Sequence, residues 1–222
     1  MSKTVSAKMR KLEKCCTRTE DNVHELDGEY LRDLRRLLDH HGYRCSLYGH
    51  FGQGCIHARI DFEEVLLWPD TFNNHFHPET AEAAVEVLET AGYSVTIPSI
   101  PLCCGRGLYN QGMRLTARRM WRRILTHLRP ALSAGTPIIV LEPSCAAVFR
   151  DELGPLFPQD ADARRLKEQT FQLAEFLNRR APQFYPGLLR APALLHGHCH
   201  QKALTGMDEE IPLLSRIGSE ES

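Results

Sequence analysis

Pro101-Leu102-Cys103-Cys104-Gly105-Arg106-Gly107 follows a short β-like run, Ser94-Val95-Thr96-Ile97-Pro98, and precedes a long helical pattern. In a regular strand successive side chains alternate faces, so two adjacent cysteines would point in opposite directions. A loop that closes on Gly105 lifts that restriction, because glycine lets the backbone turn and approach closely. Two thiols offered by one tight loop suit a metal or an iron–sulfur cluster, which needs several soft ligands within a few ångströms. Cysteine is also a small apolar residue, and an isolated pair would read as core filling. This pair is not isolated.

On either side of it the pattern is strand then helix, repeated. Val65-Leu66-Leu67-Trp68 reads as a buried strand, followed by a loop from Pro69 to His77 that holds Asp70 and His75. Pro78 opens a helix that Gly92 closes. A strand to Ile97 leads into the Cys-Cys-Gly loop. Met113 to Leu132 is a long helix with Met120, Trp121, Ile124, Leu125 and Leu128 along one side. Pro137 to Leu141 is a third strand and runs into Glu142-Pro143-Ser144-Cys145, whose helix continues through Leu153. A further helix covers Ala161 to Arg180, and a fourth strand, Ala193 to His196, delivers Gly197-His198-Cys199-His200. Alternating strands and helices predict an α/β fold: a parallel sheet of about four strands with helices on both faces. Ligands of such sheets gather at the carboxyl ends of the strands. There the sequence places Asp70 and His75, Cys103 and Cys104, Cys145, and Cys199 flanked by His198 and His200.

The chain has 222 residues, enough for one sizeable core or one core and a small second unit. Its 27 basic and 28 acidic side chains leave a net charge of −1, which gives no global reason to expect nucleic acid as a partner. No apolar run approaches the ~18 residues of a membrane span, and the N-terminus lacks the apolar core of a signal peptide. A cytoplasmic protein is expected, in which eight cysteines are free thiols or metal ligands rather than a disulfide framework.

Residues 1–23 read as a basic tail, with Cys15 and Cys16 a surface thiol pair. Tyr30, Leu31, Leu34, Leu37 and Leu38 recur at helical spacing, and Gly42 ends that helix. Two strands follow, around Tyr43–Tyr48 and Ile56–Phe62. Between them, Gly49-His50-Phe51-Gly52-Gln53-Gly54-Cys55-Ile56-His57 forms a loop through which His50 and His57 can reach one side of a hairpin. Imidazole is a common metal ligand and a useful acid or base, although loop histidines are often simply solvated.

The segment Tyr48-Gly49-His50-Phe51-Gly52-Gln53-Gly54-Cys55-Ile56-His57-Ala58-Arg59 resembles the C-terminal part of FAD-linked oxidases, which oxidise D-2-hydroxy acids such as D-lactate and glycolate. The resemblance implies that His50 and His57 serve the substrate side, in some members through a divalent metal. The flavin-binding domain expected before the segment and the glutamate-bearing motif expected after it are not found, so residues 24–62 read as a remnant.

Leu67-Trp68-Pro69-Asp70-Thr71-Phe72-Asn73-Asn74, Cys103-Cys104-Gly105, Leu141-Glu142-Pro143-Ser144-Cys145 and His196-Gly197-His198-Cys199-His200-Gln201-Lys202 together resemble the cysteine-rich CCG domain, most closely its form fused behind FAD-linked oxidases. The resemblance implies an iron–sulfur cluster, of the [4Fe–4S] type, on Cys103, Cys104, Cys145 and Cys199. It implies electron transfer from a flavoprotein subunit or domain to an acceptor, with a small 2-hydroxy acid as substrate of the full enzyme and FAD bound elsewhere than on this chain. Attachment at the periphery of the inner membrane is compatible with that role. The chain departs from the family where Asp70 replaces a cysteine, where Cys145-Ala146-Ala147-Val148 replaces Cys-x-x-Cys, and where no second Cys-Cys-Gly follows Cys199. Residues 63–206 therefore read as a truncated CCG domain and 207–222 as a tail, with no turnover expected of the chain alone. Three other readings stand beside this one: a zinc or thiol-based structural or regulatory module, a relic of the domain without cofactor, and a hydrolase with Cys145 as nucleophile and His198 or His200 as base.

Overall fold

The computed structural model describes residues 32, 33, 36, 44–50, 55–185, 187, 194–204 and 206–217, with the backbone alone for 44–50 and 55–61. The chain divides into two compact units, Met1–Glu63 and Glu64–Ser222. Cys15 and Cys16 lie outside the described residues, as does most of the helix expected from Asp27 to His41.

In the first unit, β1 (Arg44–His50) and β2 (Cys55–Asp61) form an antiparallel ribbon. His50 stands opposite Cys55 and His57 opposite Tyr48. Residues opposite one another share a face, and so do residues two apart on one strand. The register thus gives His50 and His57 positions on the same face of the ribbon. The connecting residues 51–54 are outside the described set.

The second unit is built on a four-stranded, all-parallel sheet in the order β4-β3-β5-β6. The strands are β3 (Glu63–Trp68), β4 (Tyr93–Thr96), β5 (Ile138–Val140) and β6 (Thr170–Gln172). Leu66 pairs with Ile138 and Trp68 with Val140, and Ile138 in turn pairs with Thr170. Parallel strands covered on both faces read as continuous apolar runs, and Val65–Trp68 and Ile138–Val140 are buried throughout. Alternate side chains serve two different clusters. Leu66, Trp68, Ile138 and Val140 face one, while Val65, Leu67 and Ile139 face the other.

The helices divide between those faces. Against the first pack α4 (Arg114–Ala134), α5 (Pro143–Ala147), α6 (Leu153–Leu156) and α7 (Ala161–Gln169), through Trp121, Ile124, Leu128, Ala146, Leu153 and Leu166. Against the second pack α2 (Pro78–Thr90) through Leu88 and α8 (Leu173–Arg180) through Phe176 and Leu177. The remaining helices are α1 (Thr71–His75), α3 (Arg106–Asn110), α9 (Cys199–Leu204) and α10 (Glu210–Arg216). A π-helical turn, Val148–Glu152, joins α5 to α6.

Two sequence expectations need correction. The single helix expected from Ala161 to Arg180 is broken: Thr170-Phe171-Gln172 leaves it and pairs in parallel with Ile138–Val140. Thr170 and Gln172 are buried there, and strand pairing at the sheet edge overrides the helical propensity on either side. The fourth strand is therefore β6. Among the described residues 194–198 there is no strand, and Leu194 is 86% exposed. Residues 194–198 are irregular chain that leads directly into the helix beginning at Cys199.

Asp162, near the start of α7, accepts hydrogen bonds from Arg129 Nε at 2.8 Å and Arg165 Nη1 at 2.9 Å. The bond from Arg129 is the main reason its carboxyl sits below the usual range. A carboxyl with a lowered folded-state pKa adds stability above its unfolded-state value, and that stability is lost as pH falls through the folded value. Because Arg129 is largely exposed, the contribution should be about 1 kcal/mol. Asp162→Asn should therefore lower the thermal midpoint at neutral pH and match the parent protein at strongly acidic pH, measured by thermal unfolding across that range.

Candidate functional site

The site is at the carboxyl ends of β3, β4 and β5. After β3, Asp70 caps α1: its Oδ1 accepts from the amides of Phe72 and Asn73, both at 3.0 Å, and its Oδ2 accepts from Asn73 Nδ2 at 2.7 Å. Asp70 is thus a buried helix cap, and the neighbouring His75 is exposed. After β4, the chain runs to Cys103-Cys104-Gly105. Gly105 has φ +74°, in the left-handed region, and a Cβ on it would lie 3.1 Å from Trp121 Nε1. Both conditions require glycine. Trp121 Nε1 donates to the Cys104 carbonyl at 2.7 Å and so fastens the loop to α4. After β5, Glu142 caps α5 by accepting from the Ser144 amide at 3.1 Å and Ser144 Oγ at 2.7 Å, and Cys145 stands in that first turn.

These loops bring three of the expected cysteines together. Cys145 Sγ lies 2.8 Å from Cys104 Sγ, and both are buried. The Cys103 thiol is exposed, hydrogen-bonds to the Cys104 thiol, and also meets the Thr71 side chain after β3. The bond to Cys104 raises the Cys103 pKa, with burial adding to it. For Cys104 the bond with Cys103 pulls the pKa down. The bond with Cys145 and burial outweigh it and push the group up to about 12. Without a metal, Cys103 and Cys104 are therefore protonated thiols at neutral pH, and a metal that binds them must displace protons.

The fourth cysteine, Cys199, is exposed at the first residue of α9, and α9 packs against α5. Arg106, directly after Gly105, ties these segments together. Its guanidinium donates to the Ser144 carbonyl at 3.2 Å, pairs with Glu152 at 2.9 Å, and lies 3.0 Å from His200 Nε2. Burial raises the Glu152 pKa, against the pull of Arg106. Nothing in the sequence singled out Arg106 or Glu152; an arginine one residue beyond a glycine turn carries no ligand signal by itself. The His200 amide donates to His198 Nδ1 at 3.2 Å, and the two rings stack. Neither ring bonds to Cys145 among the described residues, so the nucleophile–base pair of the hydrolase reading is not formed there.

Arg106→Gln should leave the half-buried Glu152 carboxylate without its partner and release His200. A loss of about 2 kcal/mol in global stability is expected, with faster amide exchange across Cys199–Leu204 than across Ile138–Val140. Denaturant titration and hydrogen-exchange mass spectrometry measure the two effects.

Among the described residues no three His, Cys, Asp or Glu side chains are arranged to surround one metal ion. The Cys104–Cys145 separation is shorter than the about 3.8 Å that two thiolates on a single tetrahedral zinc would keep. A cluster of several irons spreads its thiolates further still, so loading would part this pair. The donors suit such a cluster in kind, being soft, grouped and within one loop's reach of one another. Trp68, in the same apolar cluster as Cys104 and Cys145, has a buried indole N–H with no partner among the described residues.

The arrangement defines a class: a parallel α/β unit with a thiol cluster at the carboxyl edge of its sheet. Comparison with known sequences agrees. The profile of the cysteine-rich CCG domain matches residues 70–150, and that of the FAD linked oxidases, C-terminal domain, matches residues 23–86. The oxidase profile extends beyond Phe62 and overlaps the cysteine-rich profile over 70–86. Lactate utilization protein A of Bacillus velezensis is 31% identical over 158 residues, covering 69% of this chain and 64% of the relative. The protein of that name from Bacillus subtilis is 31% identical over 160 residues, covering 69% and 65%. That from Geobacillus kaustophilus is 30% identical over 148 residues, covering 64% and 60%. The chain thus spans less than two thirds of the length of these relatives. No solved structure matches it. Among the described residues no helix is long and apolar enough to cross a membrane.

Proposed function

We propose that the second unit is an iron–sulfur electron-transfer module acting in lactate oxidation. The observation that carries this reading is the meeting of Cys103 and Cys104, from the loop after β4, with Cys145, from the loop after β5. The matches to the cysteine-rich domain and to the lactate utilization proteins support it. Cys103, Cys104 and Cys145 would hold the cluster, with Cys199 as fourth ligand from α9, in keeping with the four thiolates of a [4Fe–4S] centre. When bound, such a cluster accepts and passes on single electrons. The chain's own residues supply the rest. The loop at Gly105 presents two thiols side by side, Trp121 fixes its carbonyl, and Arg106 ties the loop to Ser144, Glu152 and His200. The buried Trp68 N–H is a donor of the kind that tunes cluster sulfurs.

The similarity to the FAD-linked oxidases supports a flavoprotein as electron donor and a D-2-hydroxy acid, D-lactate or glycolate, as the substrate it oxidises. In that scheme His50 and His57, at neighbouring positions on one face of the ribbon, belong to the substrate or metal side. Anaerobic purification with iron and acid-labile sulfide analysis tests the proposal. Iron and sulfide in comparable amounts are expected. Stoichiometric zinc without sulfide would replace the proposal with the structural-zinc reading.

A further inference from the structure

The two outer helices of the sheet carry opposite charge. Helix α4 holds Arg114, Arg118, Arg119, Arg122, Arg123 and Arg129 and no acidic residue. Helix α2 holds Glu79, Glu82, Glu86 and Glu89 and no basic residue. At 100° per residue the four glutamates fall in one stripe, at spacings of three and four. Arg119, Arg122 and Arg123 likewise form one patch on the face of α4 away from Trp121, Ile124 and Leu128. The helices pack on opposite faces of the sheet, so they do not neutralise each other within one molecule.

Several of these charges have no partner. Arg129 pairs with Asp162, and Arg118 lies over the Phe157 ring. Arg114, Arg119, Arg122 and Arg123 are exposed, and their guanidinium groups make no ion pair or hydrogen bond among the described residues. Glu79 is engaged by His77, whereas Glu82 and Glu86 are exposed and unpaired among the described residues. Each stripe also begins beside exposed apolar side chains. Phe72, 59% exposed, lies on α1, which packs on α2, and Phe76, 67% exposed, caps the C-terminus of α1. Met113 and Leu115, 50% and 73% exposed, lie at the start of α4.

We propose that the basic face of α4 in one copy of this chain docks on the acidic face of α2 in a second copy. Charge complementarity selects this occupant. The chain is nearly neutral as a whole, with 27 basic against 28 acidic residues, yet α4 carries only basic and α2 only acidic side chains. The arginine patch, Arg119 to Arg123, covers about 6 Å of α4 and fits within the stripe of about 15 Å that the glutamates make along α2. Planar guanidinium groups suit carboxylate partners, and the apolar pairs give the contact an anchor that charge alone lacks. The interface is heterologous, so it builds chains or rings rather than closed two-fold dimers.

Sedimentation velocity of the full chain under reducing, anaerobic conditions tests this. Concentration-dependent association at low salt is expected, weakening about tenfold or more when salt shortens the screening length. Glu82→Lys with Glu86→Lys should abolish it, and so should Arg119→Glu with Arg123→Glu. An equimolar mixture of the two variants should associate again, since each retains the face the other lacks. All four positions are exposed, and circular dichroism verifies that the variants keep the parent fold. A parent protein that stays monomeric at low salt, variants that associate undiminished, or a mixture that stays monomeric would each overturn the proposal. So would a monomeric parent that binds phosphatidylglycerol vesicles through Arg119 and Arg123, which would assign the basic face to an anionic lipid surface.

Discussion

Cys104→Ser is expected to abolish the broad visible absorbance that anaerobic reconstitution with iron and sulfide gives the parent protein. Cys104 is the middle of the thiol group. It bonds to Cys103 within its own loop and lies 2.8 Å from Cys145 across the sheet edge. A serine hydroxyl is a hard, weakly acidic oxygen and a poor substitute for thiolate in a soft-ligand shell. The fold should survive, because serine is nearly isosteric and the Cys104 carbonyl keeps its bond from Trp121. A cost of about 1–2 kcal/mol for the buried hydroxyl is expected. Since Cys103 and Cys104 must lose protons on binding iron, reconstitution of the parent should proceed faster at mildly alkaline than at neutral pH. Unchanged absorbance in the serine variant would remove Cys104 from the ligand set.

Phe149→Ala should have the largest effect on stability. Phe149 is fully buried in the π-helical turn and meets Trp68 edge-on, with ring centroids 4.8 Å apart. Truncating it leaves a cavity between the end of β3 and the segment that follows Cys145. A loss of about 3–5 kcal/mol is expected, a large share of the stability of a domain this size. Urea titration measures it. The same cavity lies in the cluster that contains Cys104 and Cys145, so thiol reactivity toward a neutral alkylating agent should rise in parallel. A loss below about 1 kcal/mol would mean that the turn is not part of the cooperative core.

Much of the frame was legible because its signals are local. Val65–Trp68 is an unbroken apolar run of strand length, and it forms a buried central strand. Gly92, read as the end of the Pro78 helix, follows α2 with positive φ, the conformation glycine adopts at helix ends. The Cys-Cys-Gly turn could be read because glycine after two cysteines has few other uses. Other features were not legible because they depend on tertiary partners. Thr170-Phe171-Gln172 is only three residues long between two helical patterns, and only pairing with Ile138–Val140 makes it a strand. Leu194 and Leu195 look apolar enough for a strand but are exposed. Asp70 could be noted at a strand end, but its role as a helix cap appears only once Phe72 and Asn73 turn back on it. Arg106 gains its importance from Ser144, Glu152 and His200, which are distant in sequence.

Electron paramagnetic resonance of the anaerobically reconstituted protein, before and after dithionite reduction, asks whether Cys103, Cys104, Cys145 and Cys199 form one redox-active iron–sulfur site. A low-temperature iron–sulfur signal whose intensity changes on reduction is expected in the parent and not in Cys104→Ser or Cys145→Ser. A colourless protein that takes up no iron, or a signal that persists in both serine variants, would contradict that expectation.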